Sequence, residues 1–284
     1  MKKVVFSVLA ALAVSAAMPA FAADMPVKAM KAPAPAPSPW DIAFGAALTS
    51  DYMLRGISQS NHTPAVQGYT ELDFTATPWL TLYAGVWGSS LYSGFANAEF
   101  DNSVGGRFSF GQFGLDIGYV YYAYPGPAGI APVSLNTSIN YGEFYAKPSF
   151  KLTDWLTLSG SVYTGDNFGN SGVSGTYYSG AAAITLPQFM PAGIATTLSA
   201  EIGRQTYGGG LTAVGIGFVD YTQYNVGVAF AYKAMTLDLR YWDTNAPNTA
   251  TQCISTPSNG STSNLCKGVF VATLKFDTTL GALK

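Results

Sequence analysis

The chain has 284 residues and a formal net charge of −2, and only 11% of its residues are charged whereas 14% are aromatic. Soluble globular domains carry about 25% charged residues, so this composition argues against a soluble protein. The nearly neutral charge and the lack of a basic tract also argue against a nucleic-acid partner.

Residues 1–22 predict a cleaved secretory signal peptide. Two lysines precede an apolar run from Val4 to Met18, and Ala20-Phe21-Ala22 supplies the small residues of a cleavage site. This run is too short for a transmembrane helix, and no later stretch reaches the ~18 apolar residues that such a helix needs. Residues 23–39 are rich in Pro and Ala and predict an extended periplasmic leader.

Residues 40–284 predict an outer-membrane β-barrel, because a closed barrel is the one fold without spanning helices that satisfies its backbone groups in lipid. The segment 221–232 shows the pattern clearly, since apolar and small or polar residues alternate along it. One parity consists of Tyr224, Val226, Val228, Phe230 and Tyr232. The other parity consists of Gln223, Asn225, Gly227, Ala229 and Ala231.

Short turns and longer Gly-, Asn- and Ser-rich loops separate such segments in alternation, which predicts an all-β, antiparallel up-and-down barrel with both termini in the periplasm. Counting gives about twelve strands: 41–52, 67–77, 79–88, 99–110, 113–124, 141–152, 155–165, 176–187, 194–206, 221–232, 235–245 and 267–277.

Two places depart from the usual alternation between outward apolar and inward polar residues. In 79–88 the outward positions are apolar, so the alternation would turn Trp79, Tyr83 and Trp87 toward the lumen. Arg204 falls on an outward parity, and because a charge facing lipid is costly we expect it near a rim.

The most distinctive sequence motif lies in the first long loop and reads Ser50-Asp51-Tyr52-Met53-Leu54-Arg55-Gly56-Ile57-Ser58-Gln59-Ser60, followed by Val66-Gln67-Gly68. This stretch resembles the TorF porin family, in which the first strand ends in a similar Asp-Tyr…Arg-Gly-x-Ser-Gln sequence. The hairpin rhythm is similar to that family across most of residues 40–277. The resemblance implies an outer-membrane barrel with pore activity and no defined substrate.

The charged residues on the luminal parity are the candidate pore lining, and rings of such charges filter ions. The acidic members are Glu71, Asp73, Glu99, Asp101, Asp116, Glu143, Glu201 and Asp238, and the basic members are Arg107, Lys147, Lys151, Arg240 and Lys275. This excess of acids predicts a weak cation preference in a channel for small hydrophilic solutes. The alternative is that the charges pair across a narrow lumen and seal it, which would leave a structural or surface-interaction barrel. Twelve strands allow either outcome, because barrels of about eight strands are filled by side chains whereas those of about sixteen strands leave an aqueous channel.

Arg55, at the end of the first predicted strand, allows two interpretations. It is either a rim or constriction charge that attracts anions, or a loop anchor that pairs with a nearby carboxylate such as Asp51.

Cys253 and Cys266 lie in one Ser-, Thr- and Asn-rich stretch and predict a disulfide in an oxidising compartment. His62, the only histidine, sits among serines, but the stretch has no nucleophile-elbow motif, so we expect a solvated loop histidine and no enzyme activity. One histidine and two bonded cysteines predict no metal site, and nothing indicates a cofactor. The expected partners are outer-membrane lipid and small hydrophilic solutes, with a homo-oligomer left open.

Overall fold

A computed structural model of the protein describes residues 38–91, 96–125, 138–191, 193–208, 217–255 and 263–283. The predicted signal peptide and nearly all of the predicted leader lie outside these residues. Within them, no helix has the length and apolar character required to cross a membrane.

Twelve long strands, each antiparallel to its neighbours, form one closed barrel. Their bounds are β1 (Trp40–Thr49), β4 (Ala65–Thr77), β5 (Leu80–Ser90), β6 (Ala98–Phe110), β7 (Phe113–Ala123), β8 (Tyr141–Lys151), β9 (Leu156–Gly165), β10 (Gly175–Thr185), β11 (Ile194–Tyr207), β12 (Tyr221–Tyr232), β13 (Met235–Thr244) and β16 (Val269–Thr279). The twelve predicted strands are thus confirmed, and the barrel closes where β1 pairs with β16 on one side and β4 on the other.

Two short hairpins lie in the long loops. They are formed by β2 (Met53–Leu54) with β3 (Ile57–Ser58), and by β14 (Ile254–Ser255) with β15 (Ser263–Asn264). Single 3-10 turns occur at Phe168–Asn170, Thr251–Cys253 and Gly281–Leu283.

The exterior of the barrel is apolar and strongly exposed. Phe144, Ile202 and Phe270 are 67%, 61% and 80% exposed, which no water-soluble surface built of strands would favour. A closed sheet with no free barrel edge and an apolar outer face is the form in which strands cross a bilayer. The protein is therefore a barrel of the bacterial outer membrane. Short turns face the periplasm in barrels of this kind, so we take the end with the short turns and both described chain ends as the periplasmic end.

The structure confirms the predicted direction of some side chains in these two places and contradicts that of another. Arg204 points outward and donates a hydrogen bond to Thr222 Oγ1, with Asp220 3.7 Å from its guanidinium, near the long-loop end of β11. Its predicted rim position is confirmed. Tyr83 and Trp87 do point into the lumen.

The inward prediction for Trp79 is wrong, because this residue precedes β5 and lies in the turn. Its ring is 6.3 Å from that of Phe108 and 5.8 Å from that of Phe110 on the outer face. A register shift between Thr75 and Thr77 frees the turn from the alternation.

Candidate functional site

The loop between β1 and β4 turns back into the extracellular mouth of the barrel. Its hairpin, β2 and β3, has Arg55 and Gly56 at the tip, with φ values of 51° and 80°. Two central residues with positive φ are typical of a type I′ turn, where Asn-Gly is preferred. A side chain in this left-handed region costs about 1–2 kcal/mol, so the presence of arginine at the tip requires an explanation from its contacts.

The Arg55 side chain is enclosed by residues from four consecutive strands, which we call the arginine cage: Glu143 of β8, Tyr163 of β9, Tyr177 of β10 and Gln205 of β11. Both terminal nitrogens of Arg55 donate to the Glu143 carboxylate, at 2.5 and 3.0 Å, and one also donates to Gln205 Oε1 at 3.0 Å. The rings of Tyr163 and Tyr177 lie 4.9 and 4.8 Å from the guanidinium carbon.

Burial distinguishes the two interpretations of Arg55. Its side chain is 8% exposed and that of Glu143 is fully buried. Arg55 is therefore an anchor rather than a free rim charge, but the expected pairing with Asp51 is wrong. The partner is Glu143, 88 residues further along the chain.

Two more carboxyl groups lie near the cage, on β6. Glu99 is buried and accepts a hydrogen bond from the Tyr124 hydroxyl at 3.1 Å. Glu99 Oε2 and Asp101 Oδ1 are buried without a hydrogen-bond partner among the described residues. Among the described residues, Glu143 is the salt-bridge partner of Arg55, and Glu99 and Asp101 form no ion pair with it.

Asp51 organises the rest of the loop instead of pairing with Arg55. It accepts hydrogen bonds from Ser58 Oγ at 2.6 Å and Ser60 Oγ at 2.9 Å, and it lies 2.7 Å from His62 Nδ1. The other ring nitrogen of His62 lies 2.8 Å from the carbonyl oxygen of Asn264. His62 therefore links the first loop to the loop between β13 and β16.

The expectation of a solvated histidine is wrong, because the His62 side chain is only 12% exposed. Both of its partners are acceptors, so only the doubly protonated ring donates to both. The hydrogen bond with Asp51 raises the pKa of His62 above its ordinary value against the opposing effect of burial. With both ring nitrogens engaged, the ring has no nitrogen left to activate a serine.

The predicted disulfide between Cys253 and Cys266 is present. Both cysteines belong to a buried cluster that also contains Ile57, Tyr221 and Leu265. Because Ile57 is part of the hairpin, the disulfide-closed loop and the first loop pack together above the cage. Gly56 permits a close approach of the hairpin tip to the barrel wall, since a Cβ there would lie 2.6 Å from Gln223 Cβ of β12.

The periplasmic half of the lumen holds a second group of predicted residues. Arg107 lies 2.8 Å from Glu71, 3.2 Å from Asp73 and 3.8 Å from Asp116, and Lys147 lies 3.0 Å from Asp116. The side chains of Arg107 and Lys147 are 41% and 38% exposed, so this half of the interior is accessible to water.

The other predicted pore residues are dispersed. On another part of the wall, Arg240 contacts Asp238 at 3.0 Å. Glu201 accepts hydrogen bonds from the Tyr177 hydroxyl and Gln223, which places it beside the cage. Lys151 pairs with Asp154 in the periplasmic turn rather than lining the lumen, because it is the last residue of β8. Lys275 lies on the luminal parity and joins none of the ion pairs between described residues.

Sequence reasoning placed Tyr83 and Trp87 in the lumen but missed the other luminal aromatic residues. A buried group lines the wall formed by β5 to β8 and the adjoining loops, and it consists of Tyr83, Tyr122, Tyr124, Tyr141 and Tyr145. The two cage tyrosines were missed in the same way. The available signal was parity, because Tyr145 alternates in phase with Glu143 and Lys147.

A family model described as "Bacterial protein of unknown function (Gcw_chp)" matches residues 33–275. The chain belongs to this family. The match does not carry the TorF name, so that finer resemblance stays a prediction, whereas the outer-membrane barrel is established by the fold. A search of curated proteins finds no match.

Solved outer-membrane proteins of similar architecture have low identity to the chain. The COG4313 outer membrane channel from Pseudomonas putida F1 is 14% identical over 86% of this chain and 97% of that one, with a TM-score of 0.45. The TodX deltaS2S3 mutant monoaromatic hydrocarbon channel is 12% identical over 86% and 91%, with a TM-score of 0.46. The NanC porin is 7% identical over 83% and 98%, with a TM-score of 0.43. A functional conclusion must therefore come from the residues of this chain.

Proposed function

We propose that the protein is a porin through which small hydrophilic solutes diffuse passively, with a weak preference for cations. The observation that carries the proposal is the half-exposed charge of Arg107 and Lys147 inside a closed barrel, because water that reaches these side chains forms part of a solute path. In this conformation the first loop narrows the extracellular half of that path.

The cation preference follows from how the luminal charges are paired. Arg107, Lys147 and Arg240 each have a carboxylate partner within 3.0 Å. Apart from the buried carboxyl groups around Arg55, five luminal acids face four luminal bases, so negative charge is in slight excess along the path; the acids are Glu71, Asp73, Asp116, Glu201 and Asp238, and the bases are Arg107, Lys147, Arg240 and Lys275. Fixed charge of one sign in a narrow lumen favours ions of the other sign.

The test is conductance in planar bilayers, with wild-type protein and the Arg55→Gly variant measured side by side. Glycine adopts the φ of 51° without strain, so this variant removes the anchor and retains the turn. We expect stepwise conductance from both proteins, a larger open fraction for Arg55→Gly, and a reversal potential in a KCl gradient that indicates a cation preference. Silent membranes with both proteins would remove the porin proposal.

The second candidate is a closed structural or surface-interaction barrel. It is favoured by the burial of Ser58, Glu143 and Gln223, each no more than 1% exposed, where the hairpin meets the wall. Liposome swelling separates the two functions, because a closed barrel passes no sugar even when the Arg55 anchor is removed. The engagement of both His62 nitrogens gives no support to a third, enzymatic, function.

A further inference from the structure

The arginine cage has the composition of a receptor for a guanidinium group, and a side chain of the protein occupies it. The carboxylate of Glu143 engages Arg55 through two hydrogen bonds, and two tyrosine rings lie within 4.9 Å of the guanidinium carbon. Bidentate carboxylates and aromatic faces are what a planar, delocalised cation recognises best. We propose that the cage is a binding site for guanidinium-bearing solutes, which Arg55 occupies in the closed conformation. The inference rests on the proposed solute path.

The cage is formed independently of the hairpin that fills it. Its residues lie on adjacent barrel strands, where Tyr163 is directly opposite Tyr177 and Tyr177 is directly opposite Gln205. The ladders of a closed sheet hold these positions whether or not Arg55 is present. Arg55, in contrast, is carried by a hairpin of two two-residue strands. Withdrawal of the hairpin therefore empties the cage and leaves its walls in place.

An empty cage would attract cations strongly. Without Arg55, the buried carboxylate of Glu143 keeps a hydrogen bond from the Tyr122 hydroxyl at 3.0 Å and loses its cation. That uncompensated charge lies near Glu99 and Asp101, each of which has a buried oxygen without a hydrogen-bond partner among the described groups. A neutral solute of the same shape gains nothing from this charge. Selectivity for guanidinium over urea is therefore the property that identifies the site.

The experiment measures binding of guanidinium chloride to Arg55→Gly in detergent micelles, by the shift in melting temperature and by titration calorimetry. Sodium chloride at equal ionic strength and urea at equal concentration are the matched solutes. We expect millimolar guanidinium to raise the melting temperature of Arg55→Gly but not that of wild type. Urea at the same concentration should not raise the melting temperature of either protein. Adding Glu143→Gln should weaken binding roughly tenfold or more, because the bidentate charged pair is lost. Adding Asp238→Asn, which removes a luminal carboxylate outside the cage, should retain the shift.

Equal shifts with urea and guanidinium, or a shift that persists in Arg55→Gly/Glu143→Gln, would overturn the site. If Arg55→Gly does not assemble, Arg55→Asn replaces it, because asparagine also tolerates positive φ. If neither assembles, guanidinium must increase protease cleavage of the first loop of wild type more than urea does, and equal cleavage overturns the proposal.

Binding in micelles does not depend on conductance, so the two proposals fail separately. A silent bilayer with guanidinium bound to Arg55→Gly removes the porin function and leaves the site. Conductance without guanidinium selectivity removes the site and leaves the porin.

Discussion

The Arg55–Glu143 pair gives the sharpest prediction about how the mouth is held closed. We expect Arg55→Gly and Glu143→Gln each to lower the free energy of unfolding, and the double variant to lose clearly less than the sum of the two losses. The reason is that both side chains are buried and each is the principal charged partner of the other.

The magnitude follows from the contacts. Removing one partner of a buried ion pair costs about 3–5 kcal/mol, and for Glu143→Gln we expect the lower end, because Gln205 and two tyrosine rings still engage the guanidinium. Arg55→Gly also loses two aromatic contacts of about 0.5–2 kcal/mol each. It gains about 1–2 kcal/mol from relief of the left-handed backbone. With a loss of about 3 kcal/mol for Glu143→Gln and about 5 kcal/mol for Arg55→Gly, the coupling between the two should be about 2–3 kcal/mol, at the upper end for residues in contact.

The assay is urea unfolding in micelles, followed by tryptophan fluorescence. Urea replaces guanidinium chloride here because guanidinium would itself occupy the cage. Trp87 reports on the first loop, since its ring lies 5.3 Å from that of Tyr52. A control cycle of Lys151→Gln and Asp154→Asn tests a pair at an exposed turn, where the coupling should be about 0–1 kcal/mol.

Additive losses at Arg55 and Glu143, within about 0.5 kcal/mol, would refute the reasoning. The pair would then not act as a unit, and the closure of the mouth would have to come from the apolar packing of the first loop against the disulfide loop.

Three further predictions concern the loops and the wall. Replacing Cys253 and Cys266 with serine should lower the free energy of unfolding by about 3 kcal/mol, because the disulfide closes a loop with a sequence separation of 13. Protease should then cleave the loop between β13 and β16 faster, and reduction of the wild-type disulfide should have the same effect. The pKa of His62 is raised in the folded protein, so its stabilisation of the first loop is complete below the unfolded pKa of about 6.5 and is lost as pH rises through the folded pKa. The rate of protease cleavage of the first loop in wild type should therefore increase as pH rises through the folded pKa. In His62→Gln the cleavage rate should not change with pH over the same interval. Val226→Arg should lower the unfolding free energy by about 2–4 kcal/mol, because it places a charge in lipid, and Ala229→Arg, opposite Asp238 inside the barrel, should cost clearly less.

The wall of the barrel was predictable because its determinants are local. Each strand separates lipid from water, so residue type alternates with a period of two, and the segment 221–232 was predicted with the bounds that β12 has. The turns between hairpins are equally local, since strands joined by a few residues must pair with each other. Trp79 shows the limit of this reasoning, because alternation has no meaning for a residue in the turn.

The interior was less predictable because its contacts cross the barrel. Local reasoning assigned Arg55 to Asp51, four positions away, whereas its partners Glu143 and Gln205 are 88 and 150 residues distant. Tyrosine adds a second difficulty, since it suits both the membrane interface and a polar lumen. Tyr163 and Tyr177 could be assigned only by parity, and parity gives the face of a residue without its partner.

The choice of residues at the mouth favours a closure that is reversible. An apolar hairpin tip would close the barrel at least as firmly, because replacing a buried ion pair with well-packed apolar residues is often neutral or stabilising. The protein instead places arginine in a backbone conformation that disfavours it, and holds it through an ion pair with the buried Glu143. It then links this loop to its neighbour through His62, whose two hydrogen bonds require a proton. The strained tip lowers the free energy needed to release the hairpin, and loss of the His62 proton weakens the link to the neighbouring loop. A mouth that opens requires such features, and a permanent seal does not.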